Sequence, residues 1–182
     1  RYYAATNKLA MGACNEAEIT KIQMLFNQAK INTDYRKVTV AAKNHKKETE
    51  HTSAAIELED GTIICGHSSE LLGCSAALLL NVMKHLGGID HELKLIPQSM
   101  IKPIQHTKIS YLGGHNPRLH TDEVLVALSV LSENDENCKR TLEQLPTLRG
   151  VYAHWTLMLS EVDQKIFKKL GVDMTCEPVL KK

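Results

Sequence analysis

The dipeptide Asp60-Gly61 constrains this chain more than any other feature. It joins two short apolar runs, Ser53–Leu58 and Thr62–Gly66. Asp-Gly between β-compatible runs is the strongest short signal for an antiparallel hairpin, because the turn needs a positive φ that glycine adopts without steric cost. A helix is predicted next. In His67-Ser68-Ser69-Glu70 a serine is placed to cap it, and Glu70 suits its first turn. Leu71, Ser75, Leu78, Leu79, Val82 and Leu86 recur at helical spacing, and Cys74, Ala76 and Ala77 widen the apolar band almost all round. Such a helix is buried on more than one side. Gly87-Gly88 stops it. Hairpin and buried helix together call for a layered α/β body.

Residues 1–52 read as a helical segment and 53–182 as the α/β domain. Tyr2–Met11 has helical composition and stops at Gly12. Asn15, with Glu18 three residues on, marks a second helix start. Ile19, Ile22, Leu25, Phe26 and Ala29 fall on its one face, and it ends near Lys30. Val38-Thr39-Val40 is compatible with a strand, but Ala41–Lys47 favours a third helix through it. After the hairpin and helix, Lys94–Ile96 reads as a short strand ended by Pro97. A helix follows from Gln98 or Pro103 to Leu112, with Pro103 better placed in a first turn than in mid-helix. Gly113–Arg118 is a loop. Helices are expected over 121–131, 134–145 and 161–170, the last capped by Ser160 with Asp163. Strands are expected over Val151–Met158 and Val172–Cys176. Strands separated by helices imply crossovers and a mostly parallel set beside the hairpin. The expected fold class is α/β: a mixed sheet, β-hairpin plus parallel strands, with helices on both faces, preceded by a helical segment.

Several function classes are excluded by bulk features. Lys plus Arg number 22 and Asp plus Glu 21, so the net charge of +1 argues against a nucleic-acid surface. Aromatic residues are 4%, too few for a platform that stacks bases. No apolar run exceeds five residues, the length of Ala76–Leu80, so no membrane span is expected. Five cysteines, an odd number without a Cys-x-x-Cys pair, read as buried thiols of a reducing, cytoplasmic compartment. The opening Arg1-Tyr2-Tyr3 reads as the middle of a helix, so the chain is expected to be a C-terminal piece of a longer protein.

Nine histidines invite a metal reading. The one His-Glu pair, His91-Glu92, has Leu95 where the second histidine of His-Glu-x-x-His belongs, so no metal set is expected. Gly-x-Ser-x-Gly, Gly-x-x-x-x-Gly-Lys-Ser/Thr and Gly-x-Gly-x-x-Gly are all missing, and no cofactor is expected. His154, beside Trp155, reads as a hydrogen-bonded structural histidine. The loop from Gly113 to His120 has the ingredients of an anion or phosphate site: backbone N–H groups, Arg118, His120 and a helix N-terminus at Thr121. The competing reading is a Gly-Asn-Pro turn whose arginine pairs with a surface carboxylate. The loop at His67, Ser69 and Glu70 precedes a buried helix and would face the same sheet end, where open α/β sheets take ligands. Candidate ligand residues are therefore His67, Ser69, Glu70, Gly113, Asn116, Arg118 and His120, and no catalytic residue is assigned.

Two resemblances bear on these expectations. Ala54-Ala55-Ile56-Glu57-Leu58, Asp60–Gly66 and the helix after Glu70 resemble the start of a cytidine-deaminase-like fold in topology. The zinc motif of those enzymes is missing: Gly73-Cys74-Ser75-Ala76 has no Glu two residues after the cysteine, and no Pro-Cys-x-x-Cys follows. Over nearly its whole length the chain resembles the C-terminal part of a bacterial family of uncharacterised proteins, domain of unknown function eighteen-forty-six. The resemblance rests on Arg1-Tyr2-Tyr3, Ala54–Gly66, Lys102-Pro103-Ile104-Gln105, Gly113–His120 and Lys169-Leu170-Gly171-Val172. It implies a larger upstream domain with a glycine-rich, lysine-containing stretch, and it transfers no catalytic residue.

The leading expectation is an accessory α/β domain that packs on an upstream domain of the same protein and closes a shared cleft, with Arg118 and His120 on an anionic ligand. One alternative is a stand-alone enzyme or metabolite binder with a degenerate deaminase-like fold, which requires the two polar loops to lie on one face. Another is an oligomerisation module, with the leading helices as the contact of a homo-oligomer.

Overall fold

The computed structural model describes residues 1–13 and 16–179. Three helices lead: α1 (Tyr2–Ala10), α2 (Glu16–Ala29) and α3 (Lys37–Thr49). The expected cap at Asn15 lies outside the described residues. The hairpin forms as read, from β1 (Ser53–Glu57) and β2 (Ile63–His67), with Gly61 at φ +84°. Then come α4 (Cys74–Leu86), α5 (Gln98–His106), α6 (Thr121–Leu131), α7 (Glu136–Leu142), β3 (Tyr152–Trp155), α8 (Glu161–Lys169) and β4 (Asp173–Cys176).

The four strands form one mixed sheet in the order β2-β1-β3-β4. β1 is antiparallel to both β2 and β3, and only β3 and β4 are parallel. The expected mostly parallel set is therefore reduced to one pair. Helices cover both faces. Alternation along β1 sends Ala55 towards Val38 and Ala42 of α3, and Ala54 and Ile56 into the main core on the other face. That core is built on α4, α6 and α8. Trp155 meets Phe167 edge to face at 4.8 Å and donates its indole N–H to Ser75 Oγ at 3.1 Å, so its one polar atom is satisfied in the interior. α4 lies close on β2 because position 66 is glycine: a Cβ there would stand 2.4 Å from the backbone N of Leu78.

Four local expectations are corrected. Lys94–Ile96 is not a strand. Lys84, buried on α4, donates to the carbonyls of His91 and Leu93, so its ammonium takes up backbone acceptors of this segment while Leu95 and Ile96 pack into the core. Pro103 sits inside α5, which starts at Gln98 and widens into a π turn over Thr107–Tyr111. α4 begins at Cys74, so Glu70 is not in its first turn. Ser69 Oγ instead accepts from Leu71 and Leu72 N–H, closing a turn ahead of the helix. The helix expected over 134–145 is shortened to α7, capped by Asp135, and is followed by a 3-10 turn at Leu145–Leu148.

Candidate functional site

The two polar loops lie on one side of the molecule. Gly73 N–H donates to the Leu119 carbonyl at 3.0 Å, and Leu119 N–H to the Leu71 carbonyl at 2.9 Å, which makes a parallel bridge between Leu72 and Leu119. The bridge brings the N-termini of α4 and α6 side by side, next to the segment that leaves the C-terminal end of β3. Arg118, Leu119, His120, Gly73–Ala76, Ser68 and Asp163 border a small cavity of about 30 Å³ between them. That is room for one water or one ligand oxygen.

Each side chain of this corner has a definite role. Arg118 is exposed, and its Nε donates to the Ser69 carbonyl at 2.6 Å. Asn116 Oδ1 accepts from Arg118 N–H at 3.2 Å and closes the turn. Lys108 Nζ bridges the Arg118 carbonyl and Glu123 Oε2, each at 2.7 Å. Glu123 Oε2 also accepts from His120 N–H at 2.7 Å at the start of α6. Asp163, from α8, reaches across to accept from Thr121 N–H at 3.3 Å and Thr121 Oγ1 at 2.9 Å, with His120 Nδ1 3.8 Å from its other oxygen. Burial opposes the charge on Asp163, but hydrogen bonds from His120, Thr121 and Ser160 prevail and hold its carboxyl at about 2.

The donors of α6 are thus largely occupied by side chains. At the start of α4, Gly73 supplies no side-chain cap and the first turn carries no acidic residue. The first N–H groups of a helix have no partner within it. The α4 N-terminus and the guanidinium of Arg118 bring positive potential to the border of the cavity, opposed there by the ionised carboxylate of Asp163, which Thr121 and His120 engage.

Of the seven residues singled out from the sequence, Ser69, Asn116, Arg118 and His120 belong to this corner, Ser69 through its carbonyl. The other three stand apart from it. His67 faces α3, where its Nδ1 is 3.1 Å from His45 Nε2 and its ring stacks on His51 at 5.9 Å. Burial, then His45 and His51, push its pKa below the usual histidine range. Glu70 is exposed, and its carbonyl accepts from Gln105 Nε2 at 2.9 Å. Gly113, at φ +67°, ends the π turn. Sequence reading missed the α4 N-terminus and Asp163. Ser160-x-x-Asp163 was visible only as a cap for α8, and nothing local shows that this carboxylate also holds α6. Among the described residues, no group of three His, Cys, Asp or Glu side chains is placed to hold a metal ion. None of the described helices is long and apolar enough to cross a membrane.

A different polar network ties the leading helices to the sheet. Tyr3 Oη donates to Glu177 Oε1 at 3.2 Å, Lys43 Nζ stands 3.3 Å from the same oxygen, and His154 Nε2 stands 3.5 Å from it. His154 is fully buried, with Nδ1 2.9 Å from Thr175 Oγ1. Burial drives its pKa down to about 4 against the pull of Glu177.

Residues 34–182 match the family described as "Domain of unknown function DUF1846, C-terminal". The chain is 45% identical over 179 residues to a UPF0371 protein of Corynebacterium aurimucosum, covering 98% of this chain and 36% of that one. It is 42% identical over 182 residues to one of Corynebacterium diphtheriae, covering 100% and 37%. With one of Streptococcus thermophilus the identity is 39% over 178 residues, covering 98% and 36%. The chain thus spans little more than a third of the length of the curated relatives it matches.

Proposed function

We propose, from the premise that the chain belongs to the DUF1846 family through that family's C-terminal domain, that it serves as the accessory α/β domain of a longer cytoplasmic UPF0371-type protein. Its part is to present the α4 N-terminus, Arg118 and His120 to an anionic, phosphate-bearing ligand whose remaining contacts come from the preceding part of that protein.

The cavity beneath Arg118 carries this reading. Arg118 and the first turn of α4 border it, with the Asp163 carboxylate already engaged by Thr121 and His120, yet at about 30 Å³ it cannot enclose a metabolite. It is a fraction of a site. Its position beyond the C-terminal end of β3 supports the reading, since open α/β sheets take ligands there. So does the length of the relatives, about two thirds of which lies outside the matched stretch.

A thermal-shift titration with inorganic phosphate, nucleotides and sugar phosphates tests the proposal, because a ligand that binds only the folded state raises the melting midpoint by mass action. The expected result is a rise for the longer UPF0371 chain that is lost in Arg118→Ala. Turnover of any of these compounds by residues 1–182 alone would contradict it and favour the stand-alone enzyme.

A further inference from the structure

A larger concavity than the corner just described lies elsewhere among the described residues. It is a cleft of about 820 Å³ between α2 and the edge strand β4, with Tyr2, Ile22, Leu25, Phe26, Met158 and Met174 among its walls. We infer that this cleft is the seat of an apolar segment from the part of a UPF0371 chain that precedes the C-terminal domain. The inference rests on the accessory-domain reading and adds the surface through which the domain is held.

Three observations lead to it. The first is α2 itself. Over its 14 residues it has no buried side chain, although Ile22, Leu25, Phe26 and Ala29 form an apolar stripe that turns into the cleft. Leu25 is 61% exposed and Met24 58%. A helix of this length is marginal in water without a packed apolar face, so its stripe needs a cover. Its aromatic contact is with α1, where Phe26 lies 5.5 Å from the Tyr2 ring.

The second is hydrogen bonding. Among the described residues, four buried side-chain polar atoms lack a partner, and three of them belong to residues that line this cleft: Asn7 Oδ1, Arg36 Nη1 and Thr39 Oγ1. Folded proteins pair such atoms. A polypeptide occupant brings N–H and C=O groups as well as apolar side chains and satisfies both needs. Arg36 is already matched, since it stands 3.3 Å from Asp173 and lies over the Tyr152 ring at 4.5 Å. The surface therefore suits an uncharged, apolar segment better than an ionic ligand.

The third is the amount and place of the remaining chain. About two thirds of each relative lies outside the stretch matched here, and the matched family unit is C-terminal. The matched unit starts at residue 34, and the α1 and α2 residues that wall the cleft stand before it. The cleft is thus walled by the stretch that links the preceding polypeptide to the matched unit.

The test uses the longer UPF0371 chain with a photoreactive amino acid at position 25. Irradiation is expected to join position 25 to a peptide of the preceding region within one chain, at monomer mass. Cross-links to a second copy, or none to the preceding region, would overturn the inference. As a second measurement, Leu25→Asp should raise protease cleavage between the two parts of the longer chain by roughly tenfold, while residues 1–182 alone keep their melting midpoint. An unchanged cleavage rate would count against the docking. Phosphate stabilisation that depends on Arg118 reads the corner separately. If it persists while the cross-link is missing, docking fails and the accessory reading stands; the opposite pattern removes the anion site and keeps the cleft.

Discussion

Arg118 Nε donates to the carbonyl oxygen of Ser69 at 2.6 Å, across 49 residues of sequence. With the Leu72–Leu119 bridge, this bond holds two loops in register at the N-termini of α4 and α6. The guanidinium has further N–H groups, so it can keep the Ser69 carbonyl and still meet an anion.

Arg118→Ala should therefore have two separable effects. Because the side chain is exposed, stability should fall by only about 1 kcal/mol, read from urea unfolding of residues 1–182. The phosphate response of the longer chain should vanish. Arg118→Lys should restore little of it, since an ammonium on a flexible stem does not reproduce the fork of a guanidinium.

Gly66→Ala tests the contact between α4 and the sheet. The new Cβ would stand 2.4 Å from Leu78 N and 2.6 Å from Leu78 Cα, both backbone atoms that move only with the helix. The expected loss is about 3 kcal/mol, with a lowered urea midpoint and an unchanged slope.

Lys84→Met tests the buried ammonium under the 90–96 segment. Its partners are the carbonyls of His91 and Leu93. Methionine fills similar space but takes the ammonium away from both carbonyls. A cost of about 2 kcal/mol is expected, together with faster amide exchange across residues 90–96.

His154 sets an acid-side limit on stability. Its folded pKa of about 4 lies below the ordinary 6.5, so between those values the unfolded chain binds the extra proton. Its stabilisation is complete above pH 6.5 and is lost as pH falls towards 4, at up to ~1.4 kcal/mol per unit and about 3 kcal/mol in all. Asp163 adds a second, lower window, as protonation withdraws its stabilisation between 3.8 and about 2. His154→Asn should be less stable at neutral pH and show a flatter profile between pH 6.5 and 4, while the Asp163 window stays.

What could be read from the sequence was the locally encoded part. Asp60-Gly61 specifies its turn by its own conformational preferences, and the apolar bands of α4 and α6 follow from spacing alone. The same holds for Ser160, which caps α8 by accepting from Asp163 N–H at 3.2 Å. The errors arose where distant groups compete for the backbone. The start of α4 is moved to Cys74 by the bridge to Leu119, and the strand at 94–96 is displaced where a lysine from α4 takes carbonyls of that segment. At the site, Arg118 and His120 were visible as a charged loop before a helix. The N–H groups of α4 and the carboxylate of Asp163 were not, because their roles depend on α4, α6 and α8 meeting in space.

The central claim is that this domain contributes a fraction of an anion site and that the rest of a UPF0371 chain completes it. Amide hydrogen exchange at Ser75 and Ala76, in the first turn of α4, tests it most directly, with and without inorganic phosphate. Slower exchange on adding phosphate is predicted for the longer chain and not for residues 1–182. Equal protection in both would show that the domain holds the anion unaided and would contradict the account.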